Sequence, residues 1–187
     1  MKAKNIEKVL VTGGAGFKGS HTVDLLIKNG YSVTIFDNLE PQVHGEERKP
    51  PGYLNKNAVF IYGDILNREL LRKVLQEVDA IIHLAALVGV GQSMYQMERY
   101  VNVNTRGTAN LLDVLINTEN NIKKLIVASS MSVYGEGKYY CEKCSINIYP
   151  GLRSETQLKK KRCDHCCPTC GSILAPLPTD EDRKSVV

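Results

Sequence analysis

The chain has 187 residues, of which 43% are hydrophobic and 24% charged, with a formal net charge of +4. That length buries one sizeable core and little more, and the composition excludes a disordered or fibrous chain. The mild charge says little about partners, and the most apolar stretch, Ala80 to Gly91, is too short to span a bilayer and contains His83.

Lys2, Lys4 and Lys8 precede the first apolar run, with no leader-like stretch among them, so the expectation is a cytoplasmic protein. Val9-Leu10-Val11-Thr12 reads as a strand and runs into Gly13, Gly16 and Gly19, spaced G-x-x-G-x-x-G. Gly13 suits a tight turn, Gly16 a close approach of backbone to a pyrophosphate, and Gly19 the packing of a new helix against the strand. The helix N-terminus then offers N–H groups and a positive dipole end to phosphate. Phe17 to Asn29 reads as that helix, with Val23, Leu25, Leu26 and Ile27 as its apolar residues and Gly30 as its stop. Lys18, in its first turn, either lies outward or touches phosphate. Ser32 to Phe36 is the second strand. Asp37 closes it about 20 residues past the glycines, where a carboxylate bonds an adenosine ribose and repels a 2′-phosphate. No Arg or Lys follows Asp37 before Arg48, which favours NAD over NADP as cofactor.

Residues 38–57 carry Pro41, Gly45, Pro50, Pro51 and Gly52 and read as a long loop. Val59 to Tyr62 is the third strand, Asn67 caps a helix running to about Gln76, and Ala80 to Leu84 is the fourth strand. Met97 to Thr118 reads as one long helix with Val101, Val103, Ala109, Leu112 and Leu115 among its apolar residues, followed by a fifth strand at Leu125 to Ala128. Strands alternating with helices predict an α/β fold: a Rossmann-like, doubly wound parallel sheet of about five strands, ordered 3-2-1-4-5.

All six cysteines fall between Cys141 and Cys170. Paired Cys-x-x-Cys in a cytosolic chain points to metal rather than to disulfides. Cys141-x-x-Cys144 can combine with Cys163-x-x-Cys166 or with Cys167-x-x-Cys170. The first choice gives the more usual gap, whereas the second ends in Cys-Pro-Thr-Cys-Gly, where Gly171 can turn N–H groups toward sulfur. Cys141, Cys144, Cys167 and Cys170 are preferred as tetrahedral Zn²⁺ ligands. The expected organisation is a nucleotide-binding domain over 1–137, a zinc-ribbon-like insert over 138–176 and a tail over 177–187. The Lys159-Lys160-Lys161-Arg162 run is expected to be a solvated loop of the insert.

The ordered set Gly13-Gly14-Ala15-Gly16-Phe17-x-Gly19, Asp37-Asn38-Leu39, Gly63-Asp64-Ile65, His83-Leu84-Ala85-Ala86, Asn104-x-x-Gly107-Thr108 and Ser129-Ser130-Met131-Ser132-Val133-Tyr134-Gly135 resembles the extended short-chain dehydrogenase/reductases. Within them it is similar to the NAD-dependent nucleotide-sugar epimerases and dehydratases. Val88 to Tyr95 and the cysteine-rich insert look like the dTDP-L-rhamnose 4-epimerase-like subgroup. The resemblance implies that Asp64 and Ile65 sit beside the adenine and that Leu84, Ala85 and Ala86 line the cofactor. It further implies that Asn104 steadies the central helix near the active site and that Ser130 is the catalytic hydroxyl, bonding the sugar hydroxyl being oxidised. Phe17, Lys18 and Asn38 fall within its cofactor-binding motifs. The substrate implied is a dTDP- or UDP-sugar, with assembly as a homodimer left open.

The family pairs this serine with a Tyr-x-x-x-Lys on a following helix. Here Tyr139-x-x-x-Lys143 straddles Cys141 and is rejected, because a metal knuckle cannot also be that helix. The expectation is therefore the cofactor half of an epimerase, without catalytic pair or sugar lobe and inactive alone. A 4,6-dehydratase-like enzyme is one alternative. A non-catalytic module, with a zinc ribbon contacting nucleic acid or protein, is another. The ribbon's single basic run lacks aromatic interleaving, which argues against a nucleic-acid partner.

Overall fold

The computed structural model describes residues 5–181; Lys2, Lys4 and the end of the expected tail, from Asp182 to Val187, lie outside them. These residues divide into two compact units, the first ending at Ala128 and the second beginning at Ser129. In chain order the first contains β1 (Lys8–Thr12), α1 (Phe17–Lys28), β2 (Ser32–Asp37), α2 (Pro41–His44), β3 (Val59–Tyr62), α3 (Arg68–Leu75) and β4 (Ala80–His83). It continues with α4 (Val90–Ser93), α5 (Met97–Tyr100), a π-helical segment (Val101–Gly107), α6 (Thr108–Asn117) and β5 (Lys124–Val127). The second holds a 3₁₀ turn (Met131–Tyr134), β6 (Lys138–Cys141), β7 (Ile146–Ile148), α7 (Glu155–Lys159) and β8 (Ala175–Leu177).

The first unit is a five-stranded, all-parallel sheet ordered β3-β2-β1-β4-β5, as the alternation of strands and helices predicted. Alternate residues explain its two covered faces. Leu10, Phe36 and Ile81 point to one side, where Leu71, Val74 and Leu75 of α3 and Leu111 and Val114 of α6 close over them. Val9, Val11, Val33 and Ile35 point to the other, against Val23 of α1. Each fully buried side chain of this size contributes about 1.5–3 kcal/mol. On β5 the cover thins, and Ile126 and Val127 stay 45% and 50% exposed.

Helix ends follow local chemistry. Asn67 Oδ1 accepts the Leu70 N–H at 3.1 Å and starts α3 as expected. Past α1, the Gly30 N–H bonds Ile27 O at 2.9 Å and the Tyr31 N–H bonds Leu26 O at 3.1 Å, a Schellman stop. Three expectations need correction. The loop after β2 contains the one-turn α2, because Pro41 pre-sets the first helical position. A further short helix, α4, lies in the segment after β4. The single helix over Met97 to Thr118 is three segments, α5, π and α6. The π segment shifts the helical phase, so Leu111 and Val114 are buried while Val101 and Leu112 are exposed.

The second unit is a three-stranded antiparallel sheet, β7-β6-β8, with an isolated bridge between Cys166 and Ile173. It takes in more of the chain than 138–176. Glu136 accepts from His165 Nε2 at 2.8 Å and pairs with Arg153 at 3.0 Å, and Lys138 pairs with Asp180 at 2.8 Å. Among the described residues no helix is long and apolar enough to cross a membrane.

Candidate functional site

Parallel order reverses between β1 and β4, and the loops leaving these two strands are where such sheets open a ligand crevice. After Thr12 the chain turns at Gly13, whose φ is +67°, and its N–H donates to Phe36 O at 2.9 Å. A Cβ on Gly13 would meet Ala85 N at 2.8 Å, and one on Gly19 would meet Gly13 O at 2.2 Å. The second contact corrects the sequence reading in detail. Gly19 lets the helix lie on the glycine turn itself. Gly16 is the N-cap of α1 and brings no side chain to the first-turn N–H groups. Phe17 is exposed and stacks edge-on with His21, and Lys18 is exposed in the same turn.

Asp37, at the end of β2, is 8% exposed. Its Oδ2 accepts the Ala15 N–H at 3.0 Å and its Oδ1 the Leu39 N–H at 2.9 Å. Each oxygen retains a second lone pair, so the carboxylate can still accept from vicinal hydroxyls while opposing a phosphate. Two residues missed in the sequence stand beside it. His44 of α2 brings Nε2 within 4.0 Å of Asp37 Oδ1, and the Tyr53 hydroxyl donates to Ala15 O at 2.7 Å. Burial and the Asp37 charge push the Tyr53 phenol above its ordinary value. The signal available was Pro41 with Gly45, which marks a folded turn inside the loop.

Asn38 Nδ2 donates to Asp64 Oδ2 at 2.9 Å, and Asp64 Oδ1 accepts the Leu66 N–H at 2.8 Å. Ile65 turns its side chain into the core, while its carbonyl accepts from Asn110 Nδ2 at 2.7 Å. Beyond β4, Leu84 and Ala85 are half-buried and Ala86 is exposed. Asn104, inside the π segment, clamps the next stretch. Its Oδ1 accepts the Leu87 N–H at 2.8 Å and its Nδ2 donates to Leu87 O at 3.0 Å. The structure thus brings Gly13, Gly16, Gly19, Asp37, Asn38, Asp64, Leu84, Ala85, Ala86 and Asn104 into one unit, at the C-terminal ends of its strands.

Ser130 belongs to the second unit. It caps the 3₁₀ turn, its Oγ accepting the Ser132 N–H at 3.1 Å, so its own proton is available to donate. Tyr139 lies on β6, edge-on to His165, and Lys143 lies in the turn after it. They share no helix, consistent with rejecting them as a Tyr-x-x-x-Lys pair.

Of the two cysteine combinations, the structure gathers Cys141, Cys144, Cys167 and Cys170, whose sulfurs all lie within 4.8 Å of one another. Cys141 and Cys170 Sγ are 3.5 Å apart, Cys144 and Cys167 Sγ 3.9 Å. Cys163 and Cys166 are exposed and outside the cluster. The four thiols are unequal: the hydrogen bond to Cys170 and burial push Cys144 up to about 12, while the Ser172 hydroxyl and backbone N–H draw Cys170 down to about 6. A set of four sulfurs this compact is the donor set of a tetrahedral soft cation.

Residues 9–151 match the NAD dependent epimerase/dehydratase family. A bifunctional UDP-glucose 4-epimerase and UDP-xylose 4-epimerase from Pisum sativum is 41% identical over 136 residues, 70% of this chain and 38% of the relative. A dTDP-L-rhamnose 4-epimerase from Burkholderia thailandensis is 34% identical over 179 residues, 92% of this chain and 49% of the relative. A crystal structure of UDP-glucose 4-epimerase from Brucella ovis in complex with NAD superposes with a TM-score of 0.60 at 34% identity, covering 70% of this chain and 38% of that one. The chain therefore spans 38% to 49% of the length of the curated relatives named here.

Proposed function

The chain belongs to the NAD-dependent epimerase/dehydratase family, and from that premise we propose that it is the cofactor-binding part of an NAD-dependent nucleotide-sugar 4-epimerase. One observation carries the cofactor reading: the buried Asp37 carboxylate, held at the end of β2 by the Ala15 and Leu39 amides beside the glycine turn. The residues present fit NAD. Gly13, Gly14, Gly16 and Gly19 leave bare backbone along the turn that would receive the pyrophosphate, and the first turn of α1 offers its N–H groups. Asp37 would hold the ribose hydroxyls, Asn38 and Asp64 would hold the adenine end, and Leu84, Ala85 and Ala86 would line the rest of the cofactor. Bound NAD supplies a reversible hydride acceptor, which lets a sugar carbon be oxidised and re-reduced on its opposite face.

The sugar is a dTDP- or UDP-sugar, a reading supported by the relatives' substrates. By the family resemblance Ser130 would donate to the sugar hydroxyl, and a serine hydroxyl does not serve as a base near neutral pH. Since Tyr139 and Lys143 do not share a helix, the 187 residues on their own are expected to leave a dTDP- or UDP-sugar unchanged. A positioned base is worth typically 10²–10⁴-fold. We further infer a structural Zn²⁺ in the second unit. A Zn–S length of about 2.3 Å implies tetrahedral sulfur edges of roughly 3.8 Å, and the observed 3.5 and 3.9 Å separations support it. A reducing cytoplasm, which keeps such thiols available to metal, is the compartment this reading favours.

Calorimetric titration tests the cofactor. NAD is expected to bind at least tenfold tighter than NADP, and Asp37→Ala to weaken NAD and narrow that ratio. Equal affinities in the unmodified chain would remove the basis of the reading.

A further inference from the structure

His83 closes β4 and is 4% exposed, yet both its ring nitrogens are engaged. Nδ1 lies 2.7 Å from Thr12 Oγ1 and Nε2 lies 3.1 Å from Thr108 Oγ1. Which nitrogen holds the proton follows from counting donors. Thr12 Oγ1 accepts the Ala85 amide at 3.2 Å and shares the Leu84 amide, also at 3.2 Å, with its own carbonyl, which lies 3.1 Å from that nitrogen. A hydroxyl has two acceptor lone pairs and one proton, and with both lone pairs of Thr12 Oγ1 facing amides its proton is directed to Nδ1. That leaves Nδ1 bare and Nε2 protonated. At the other end the Thr108 hydroxyl donates to Asn104 O at 2.7 Å, which leaves its oxygen free to receive the Nε2 proton. The hydrogen bonds thus run in one direction, from the Leu84 and Ala85 amides through Thr12, His83 and Thr108 to the Asn104 carbonyl. The Asn104 side chain in turn holds both backbone groups of Leu87.

We propose that His83, fixed as the neutral Nε2–H tautomer, is a positioning residue that ties the two ends of the Leu84–Leu87 loop together and so sets the wall against which NAD lies. Thr12 grips the start of the loop, Asn104 grips its end, and among the described residues the imidazole is the one side chain bonded to both hydroxyls that link them. An apolar residue at 83 would fill the space and break the link. The opposite tautomer would set Nδ1–H against a hydroxyl whose acceptor sites are already taken. The proposal rests on the NAD reading for its consequence, but not for its geometry.

Long-range ¹H–¹⁵N correlation on the cofactor-free chain reads the tautomer directly. It is expected to show His83 protonated at Nε2 alone, and a mixture or an Nδ1–H form overturns the proposal. NAD titration then reads the consequence. Thr108→Val keeps the volume but removes the hydroxyl that receives the Nε2 proton, and is expected to shift the Nε2–H resonance and weaken NAD roughly tenfold, the size of one lost hydrogen bond. Thr108→Ser restores the hydroxyl and is expected to recover both signals. Folding of each variant is checked by thermal melting, and recovery in the serine variant separates hydroxyl from bulk. Unchanged NAD affinity in a folded Thr108→Val overturns the positioning role. An unmodified chain that holds the Nε2–H tautomer yet takes up no NAD overturns the cofactor reading, and the positioning role with it.

Discussion

Gly19 has no room for a side chain, since any Cβ would sit 2.2 Å from Gly13 O and 2.6 Å from the Gly14 Cα. Both neighbours are backbone and cannot swing aside, so α1 must lift off the turn to admit a methyl group. Gly19→Ala is expected to lower unfolding stability by about 1–3 kcal/mol and to abolish detectable NAD uptake, read by urea titration and calorimetry on the same sample. At this scale part of the candidate site is legible in the sequence. The three glycines and Asp37 announce themselves because their spacing is local and each role excludes other residue types. His44, Tyr53 and the partners of His83 do not. Thr12 and His83 are 71 residues apart in sequence, and their meaning appears only once β1 and β4 are known to run side by side. Ile65 was legible as a motif residue, but its outward or inward direction was not, since that depends on where Leu111 and Val114 arrive.

At the level of elements, the break of one long helix into α5, a π segment and α6 is tied to a single side chain. Asn104 occupies the middle of the π segment and satisfies both backbone groups of Leu87. The widened turn is the helical geometry that accompanies that reach, a common use of π segments at functional sites. Asn104→Ala leaves the Leu87 N–H and C=O without those partners and is expected to cost about 1–3 kcal/mol. Hydrogen exchange should speed at Leu87 and through 101–107, while β1 and β2 keep their protection. Exchange unchanged over 101–107 would mean that the π turn is held by something else. The periodicity of the sequence could not disclose this. Val101, Val103, Ala109, Leu112 and Leu115 suggest a regular helix; Val103 and Leu115 do pack against the core, but the fully buried residues are Leu111 and Val114. Strands were better served: β3 runs over the expected residues, since its turn signals and β-branched content agree.

Taken whole, the molecule joins two units with different sources of stability. The first buries two apolar layers against its sheet, whereas the buried core of the second is Cys141, Cys167 and Leu174. For so small a cluster the proposed Zn²⁺ would contribute on the order of 10 kcal/mol, as in comparable small sites. Chelation is expected to unfold residues 129–181 and to leave the first unit melting as before, giving two separate calorimetric transitions. Purified chain should carry one Zn²⁺; Cys170→Ser should lose it and Cys163→Ser should keep it, by elemental analysis. The strand order was readable from the alternation of elements. The start of the second unit was not, because Glu136 joins it through His165 and Arg153, partners that lie beyond the first metal knuckle.

The thinly covered β5 has a bearing on how this chain behaves in a concentrated solution. Among the described residues β5 is paired on one side only, which presents a row of unused amides and carbonyls, and Ile126 and Val127 flank that row with exposed hydrocarbon. Lys124, at its start, is the only charge on the strand to discourage a neighbour. Reversible self-association that grows with protein concentration is therefore expected from light scattering, and a charge introduced as Ile126→Lys should suppress it. Loss of solubility on purification would then reflect stickiness along this rim, with the nucleotide crevice of the same molecules still intact.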